Sequence, residues 1–331
     1  MKKFFVLAII FASLAFVLYL KSDKRNHHVH LVGIVQVIEH PALDISRKGM
    51  IERLKTLGFK EGENIQFIFE SAQGNPALAS QIIQKFIGQK VDMIVSLGTT
   101  PSQAALQNII QVKDYQKIQL VFLSVSDPLS AKLVEEASNG TLSSSYACGI
   151  SNYVDVKKQL EMFKNALPNM LNLGIIYNPG EANSVTSIER FKKWGESFHI
   201  NIVEAPATKT SDVIMAAQSL KGKVDAIFVD NDNTALAAFS TLSNFCVTNK
   251  IPLFVSDTDL AHLALASLGP SQKRIGEQGA EFVALLLKKE AVIKDLGVQF
   301  PDTVELFLNE EFAKKIDVVL GDFFIKSAKK V

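Results

Sequence analysis

Two cysteines in 331 residues and a net charge of +1 leave several kinds of protein without their physical basis. A nucleic-acid surface needs clustered basic side chains, and 35 Lys and Arg against 34 Asp and Glu leave no excess from which to build one. Cys148 and Cys246 stand far apart in apolar surroundings and read as core thiols, because no paired spacing points to a disulfide, a metal site or a nucleophile. The phosphate loops G-x-G-x-x-G and G-x-x-x-x-G-K-[ST], the G-x-S-x-G elbow and the H-E-x-x-H helix are all missing. Dinucleotide, nucleotide, esterase and metalloprotease chemistries therefore lack their parts, no cofactor is expected, and the chain reads as a non-enzyme. A Glu39-His40 acid–base pair is the one enzymatic alternative, but neighbours at a strand end point to opposite sides.

What is present begins with export. Lys2-Lys3 precede an apolar run from Phe4 to Leu20, followed by Lys21-Ser22-Asp23-Lys24-Arg25-Asn26, the order of a secretory signal. The run falls between a signal core and the shortest membrane spans. Its one tolerable small-residue pair, Ser13 and Ala15, leaves Phe16 to Leu20 on a cleaved chain, so an uncleaved anchor is favoured over cleavage. No cysteine follows, which excludes a lipoprotein anchor. Residues 1–29 are thus expected to be a signal or membrane anchor with a linker, and the body to be periplasmic or held on the outer face of the cytoplasmic membrane. His27-His28-Val29-His30 reads as linker running into the first strand rather than as a metal site, since alternation puts only His28 and His30 on one face.

Beyond residue 30 two stretches read alike. Gly33-Ile34-Val35 recurs as Gly174-Ile175-Ile176, and Lys90-Val91-Asp92-Met93-Ile94 as Lys223-Val224-Asp225-Ala226-Ile227. A long, nearly constant shift indicates two copies of one domain rather than a solenoid. Apolar runs at 30–38, 65–69, 92–97 and 119–123, then 173–177, 201–204, 226–229 and 252–255, predict buried strands. Helices are predicted between them at 42–57, 76–87, 154–167, 184–198, 211–220 and 234–249. Strands alternating with helices give an α/β fold of two Rossmann-like lobes with parallel sheets, whose ligand lies beyond the carboxyl ends of the strands.

The turns at those ends differ between the halves. In the first, His40-Pro41, Thr100-Pro101 and Asp127-Pro128 place proline where a helix should start, so three helix N-termini are expected to offer free N–H groups to an anion; the competing reading has Thr100 and Asp127 merely capping their own helices. In the second, Asn178 to Ser184, Asp230 to Thr234 and Ser256 to Asp259 are rich in carboxylates and amides, suited to an ammonium group. Calcium is the weaker alternative there, since the glycine and terminal Glu of a calcium loop are missing. Solvated helix caps are the other.

Taken in order, Val32-Gly33-Ile34-Val35-Gln36, Glu39-His40-Pro41-Ala42-Leu43-Asp44, Leu57-Gly58-Phe59, Glu61-Gly62-Glu63-Asn64, Thr99-Thr100-Pro101, Ser126-Asp127-Pro128, Tyr177 to Ser184, Gly222 to Ile227, Asp232-Asn233-Thr234 and Ser256 to Asp259 resemble the ABC-transporter substrate-binding proteins of the tryptophan/tyrosine-binding type over residues 30 to 290. The resemblance implies a type I periplasmic-binding-protein fold with three crossovers, near Ile150-Ser151, Gly269-Pro270 and Val298 to Pro301. Lobe one would take residues 30–150 plus 271–297, and lobe two 151–270 plus 298–331. It also implies a small zwitterionic ligand, an aromatic or other hydrophobic amino acid, with an ABC permease and its ATPase as partners. The tail Gly321-Asp322-Phe323-Phe324 and the missing lipoprotein cysteine depart from the family's usual form.

The residues expected to meet the ligand are Glu39, His40, Thr99, Thr100, Ser126 and Asp127 in the first lobe and Asn183, Ser184, Asp232, Asn233 and Asp257 in the second. Thr99 and Thr100 are assigned its carboxylate and Asp257 or Asp232 its ammonium, with Asp259 capping a helix from Leu260 to Ala266. A sensor domain for a signalling receptor shares this fold and is the alternative function.

Overall fold

The computed structural model describes residues 29–112 and 118–331. The apolar run, the basic segment after it and His27-His28 lie outside the described residues. Among the described residues no helix is long and apolar enough to cross a membrane.

The strands are, in chain order, β1 (His30–Gln36), β2 (Ile65–Ser71), β3 (Met93–Leu97), β4 (Gln119–Leu123), β5 (Glu135–Glu136), β6 (Leu142–Ser143), β7 (Ala147–Ile150), β8 (Asn172–Tyr177), β9 (Asn201–Pro206), β10 (Ala226–Val229), β11 (Leu253–Val255), β12 (Ala266–Pro270), β13 (Val298–Gln299), β14 (Val304–Leu308) and β15 (Lys329–Lys330). One sheet runs β2-β1-β3-β4-β7-β13, the other β9-β8-β10-β11-β12-β14-β15, and β5 pairs with β6. The first five strands of each large sheet follow the same order and are parallel, so the two halves are copies of one wound unit. In the second sheet β14 runs antiparallel to β12.

The physical basis of the repeated residues is visible at matched positions. A Cβ on Gly33 would lie 2.5 Å from the Phe86 ring, and one on Gly174 would lie 2.7 Å from Leu220 Cδ1, so glycine at both lets a helix press on the first strand of its sheet. Asp92 Oδ2 accepts from the Leu31 amide at 2.8 Å, and Asp225 Oδ2 from the Leu171 and Asn172 amides, both at 2.8 Å. Each aspartate of the Lys-Val-Asp repeat therefore pins the neighbouring strand at its entry, where that strand's first amides would otherwise go unpaired.

The helices that matter for the site are α1 (Pro41–Thr56), α2 (Pro76–Gly88), α3 (Thr99–Ile109), α4 (Val156–Ala166), α5 (Ala182–Gly195), α6 (Val213–Leu220), α7 (Asn233–Ala237), α8 (Phe239–Asn249) and α9 (Gln272–Leu287). After β7 the chain passes through Ser151 to Asp155 into α4. After β12 it enters α9, which packs on α1 where Gly276 meets Ser46 O and Gly49 meets Lys273 O too closely for any Cβ. Between β13 and β14 it passes from the first sheet to the second. Ile275, Phe282, Val283 and Leu286 of α9 join Val32, Met50 and Leu54 in the first sheet's core, while Phe163, Phe191, Phe228 and Phe254 cluster at ring distances of 4.7 to 6.4 Å in the second.

Four local expectations are corrected. Helix α3 starts at Thr99, with Gly98 before it, so Thr100 is no cap; Pro101 still fits because amides of the first turn have no helical partner. Asp127-Pro128 opens a tight turn, not a helix, closed by the Ala131 amide on Asp127 O and the Leu133 amide on Pro128 O. The helix expected over 234–249 breaks at Ala238 into α7 and α8. The segment after Asp257 is a 3-10 turn, Thr258–Leu263, capped by Asp257 rather than Asp259, and Ala266 already belongs to β12.

Candidate functional site

The carboxyl ends of both sheets face a shared cleft, where about 510 Å³ of atom-free space includes the open solvent at its mouth. In each sheet the site lies where the chain winds in opposite directions from a central pair, β1 with β3 and β8 with β10, which is where a crevice opens in wound parallel sheets. The first lobe contributes Ile38, His40, Ala42, Leu43, Gly98, Thr99, Ser124 and Ser126, and the second Asn183, Asn231, Asn233, Leu236 and Asp257. Asn152 and Gln272 enter just past two of the chain's passages between the sheets. Among these lining residues Asp257 carries the only carboxylate, and there is no Lys or Arg.

His40 is the N-cap of α1 and accepts the Ala42 amide on Nδ1 at 3.3 Å. That bond leaves the ring proton on Nε2 in the neutral form. Burial lowers the imidazole below its ordinary range, against the opposing carboxylates of Asp259 and Asp44. Its Nδ1 lies 3.6 Å from Asp257 Oδ2 across the cleft. With Nδ1 already accepting and the ring kept neutral, this approach is a contact and not a charge pair.

Asp257 is 3% exposed, with Oδ1 accepting from the Asp259 amide at 2.9 Å. Burial pushes its carboxyl up to about 6, opposed by amides of its own turn. Asp259 is also raised to about 6, by burial first and the Asp257 charge next, and one of its oxygens is buried without a partner. Asp257 thus stands on the cavity wall with Asp259 behind it in the turn and no lysine or arginine among the lining residues, a burial that a cationic group would relieve.

On the opposite wall Gly98 has φ +97, and a Cβ there would meet Val37 Cγ1 at 2.8 Å, so glycine is the residue this turn admits. The Ser102 hydroxyl donates to Gly98 O at 2.6 Å and lies 2.8 Å from Ser96 Oγ, which fixes the turn. Gly98 offers α3 no side-chain cap, and Thr99, 5% exposed, lines the cavity at that end.

Not every expected residue reaches this cavity. His40, Thr99, Ser126, Asn183, Asn233 and Asp257 do. Thr100 lines the outer mouth of the cleft with Ile38 and Asn233. Glu39 is exposed and lines neither this cavity nor the mouth of the cleft. Asp232 is 1% exposed and fully engaged inside its own lobe: Oδ2 accepts from the Asn178 amide (2.6 Å) and the Ser184 hydroxyl (2.7 Å), Oδ1 from the Ala235 amide (2.8 Å). Ser184 is thereby spent on Asp232. Asp127 accepts the Ser130 amide and hydroxyl, each at 2.9 Å, and pairs with Arg190. Asn183 and Asn233 have committed their amide nitrogens, to Asn231 O at 2.7 Å and Glu181 Oε2 at 2.6 Å.

Sequence reasoning missed Ser124, Asn152, Asn231, Gln272 and the apolar Ile38, Leu43 and Leu236. Asn231 had a signal, inside the Asp-Asn-Asp-Asn run that also holds Asp232 and Asn233. Ser124 takes φ +56 and its hydroxyl meets Gln272 Oε1 at 3.4 Å, while the Ser126 hydroxyl donates to Asn152 Oδ1 at 2.9 Å. Both bonds join turns to segments far away in sequence, and no local pattern carries them.

Two wound α/β lobes facing one polar cleft define a bilobal binding protein of the type I periplasmic kind. The model of the ABC transporter substrate binding protein family matches residues 31–331, and the chain belongs to that family. It is 32% identical over 301 residues, 90% of this chain and 83% of the relative, to a tyrosine-binding protein of Clostridioides difficile. Among solved structures, a conserved domain protein of Vibrio cholerae is 34% identical with a TM-score of 0.84, covering 91% of this chain and 99% of that one. A ligand-free, open substrate-binding protein with adhesive properties from Clostridium difficile is 30% identical with a TM-score of 0.68, covering 92% and 99%. An ABC domain of Streptococcus pneumoniae in complex with L-Trp shares the fold, at 24% identity and a TM-score of 0.83 over 91% and 99%.

Proposed function

We propose that this substrate-binding protein takes a free amino acid with an aromatic or other hydrophobic side chain into the cleft and delivers it to an ABC permease driven by its ATPase. The observation that carries this is the charge layout of the cavity: one buried carboxylate, Asp257, on one wall, and the uncapped start of α3 at Gly98 and Thr99 on the other. A zwitterion fits both ends without an arginine. Its ammonium would neutralise Asp257, and its carboxylate would receive the free amides of the helix start, where the helix dipole is positive. Ile38, Ala42, Leu43 and Leu236 supply apolar surface for the side chain, and the tyrosine-binding relative supports an aromatic one.

In this reading Thr99, His40, Ser126, Asn183, Asn233 and Asp257 touch the ligand, while Asp232, Ser184 and Asp127 shape the walls. Lobe one comprises residues 30–150 plus 271–299, two residues beyond the expected 297 because β13 (Val298–Gln299) pairs with β7, and lobe two 151–270 plus 300–331. They close on the ligand between them, and the protein performs no chemistry on it. The apolar run at the N-terminus directs export and holds the body outside the cytoplasmic membrane. Mass spectrometry of the small molecule that copurifies with the protein tests the ligand class: an aromatic or aliphatic amino acid supports it, and a sugar or a polyamine overturns it.

A further inference from the structure

We infer that Arg190 is a positioning residue for ligand binding, a latch that holds the lobes together through Asp127 and the connecting segments without touching the ligand. Asp127 follows β4 of the first sheet, and Arg190 lies on α5 of the second lobe. Arg190 Nη2 lies 2.5 Å from Asp127 Oδ2. The carboxylate is 6% exposed in its side chain and is held by the Ser130 amide and hydroxyl, so it is aimed before the arginine arrives.

The guanidinium also lies over the Tyr153 ring, 4.9 Å from its centroid, and Tyr153 belongs to the segment between β7 and α4. Tyr153 in turn meets Phe300 edge-on at 6.4 Å, and Phe300 belongs to the segment between β13 and β14. Two of the chain's passages between the sheets are thus in contact with each other, and one of them with the latch. Neither Asp127 nor Arg190 lines the main cavity; they flank a small neighbouring hollow that shares Ser126, Asn183 and Asn231 with it.

A contact made only when the lobes are together raises the closed fraction whether or not ligand is present. The apparent dissociation constant of a ligand held by the closed form is its intrinsic value divided by that fraction. Because Arg190 is partly exposed, water screens the pair and the effect is modest, about fivefold in the closed-to-open ratio.

The test places spin labels on the full chain at Ala77→Cys, an exposed site next to Pro76 on one lip of the cleft mouth, and at Lys209→Cys on the opposite lip; the native thiols are buried and resist labelling, with burial pushing both up to about 12. In the ligand-free protein, Arg190→Ala and Asp127→Asn should each deplete the short inter-label distance, the double variant should deplete it no further, and Arg190→Lys should restore part of it. Asn at 127 keeps an oxygen for the Ser130 amide, so this variant isolates the lost charge. Affinity for L-tyrosine should fall by the same factor as the closed fraction, a readout that rests on the ligand reading above. Unchanged label distances in both single variants, or additive losses in the double, would overturn the latch. If wild-type protein does not bind L-tyrosine, the ligand reading fails while the distances still decide the latch.

Discussion

His40 and Asp257 face each other across the cleft at 3.6 Å, one from the cap of α1 and the other from the turn after β11, and the geometry keeps them from sharing charge. The imidazole spends Nδ1 on its own helix and burial holds it neutral, so the carboxylate waits for a cation from outside. Asp257→Asn should therefore weaken amino-acid binding by about 2–5 kcal/mol, since it strips a buried ammonium of its counter-charge. Thr99→Val should cost about 0.5–1.5 kcal/mol, the worth of one ordinary hydrogen bond. Calorimetry on the two variants checks the order; equal losses would remove the charge assignment.

Asp232 should behave differently. Its three acceptor bonds tie the turn after β8 to the start of α7, so Asp232→Ala should lower the melting temperature by an amount equivalent to about 2–3 kcal/mol, while the folded fraction binds ligand within a few-fold of wild type. Thermal denaturation and calorimetry on one preparation separate the effects. A large loss of affinity with unchanged stability would return Asp232 to the ligand site.

Asp257 and Asp259 are both raised to about 6 by burial, above their ordinary value near 3.8. The folded state then holds more protons than the unfolded chain between those values, so their contribution to stability falls as pH rises through that window and recovers as pH drops toward 4. The ligand acts in the opposite sense, because an ammonium needs Asp257 ionised. Affinity should be flat above about pH 6 and decline as pH falls below it, and Asp257→Asn should remove most of that slope. A pH series of calorimetric titrations tests both; a slope that persists unchanged in Asp257→Asn would place the titrating group elsewhere.

Gly33→Ala and Gly174→Ala test the shared frame of the lobes. Each added methyl enters a packed helix–strand contact, against Phe86 in one lobe and Leu220 in the other, and should cost about 1–3 kcal/mol. Chemical denaturation should show similar losses in the two variants; no loss in either would mean that the repeat does not have this packing as its cause.

The frame was the most legible part of the sequence. Val32 to Gln36 and Leu173 to Tyr177 are apolar runs whose strand character follows from composition, and the Gly and Asp repeats mark matched positions in both lobes. Side-chain roles were less legible because they depend on partners distant in the chain. Asp232 and Asp257 look alike as acids after strands; what separates them is that Asn178 and Ser184 donate to the first, 54 and 48 residues away, and no such pair reaches the second. Asp127 likewise reads as a helix cap, yet it holds a tight turn through Ser130, and one of its oxygens meets an arginine 63 residues on. Thr100 was misplaced for a local reason: proline is admitted throughout the first helical turn, so it marks a start only to within a few residues.

The central claim is that the cleft recognises both charged ends of an amino acid. Calorimetric titration of the purified protein with L-tyrosine, with tyramine, which lacks the carboxylate, and with 3-(4-hydroxyphenyl)propionate, which lacks the ammonium, tests it directly. The account predicts that L-tyrosine binds and that each one-charged analogue is weaker by about a hundredfold or more, the deamino compound the weaker of the two because it sets a carboxylic acid near an unpaired Asp257. Comparable affinity for all three, or preference for either analogue, would contradict it.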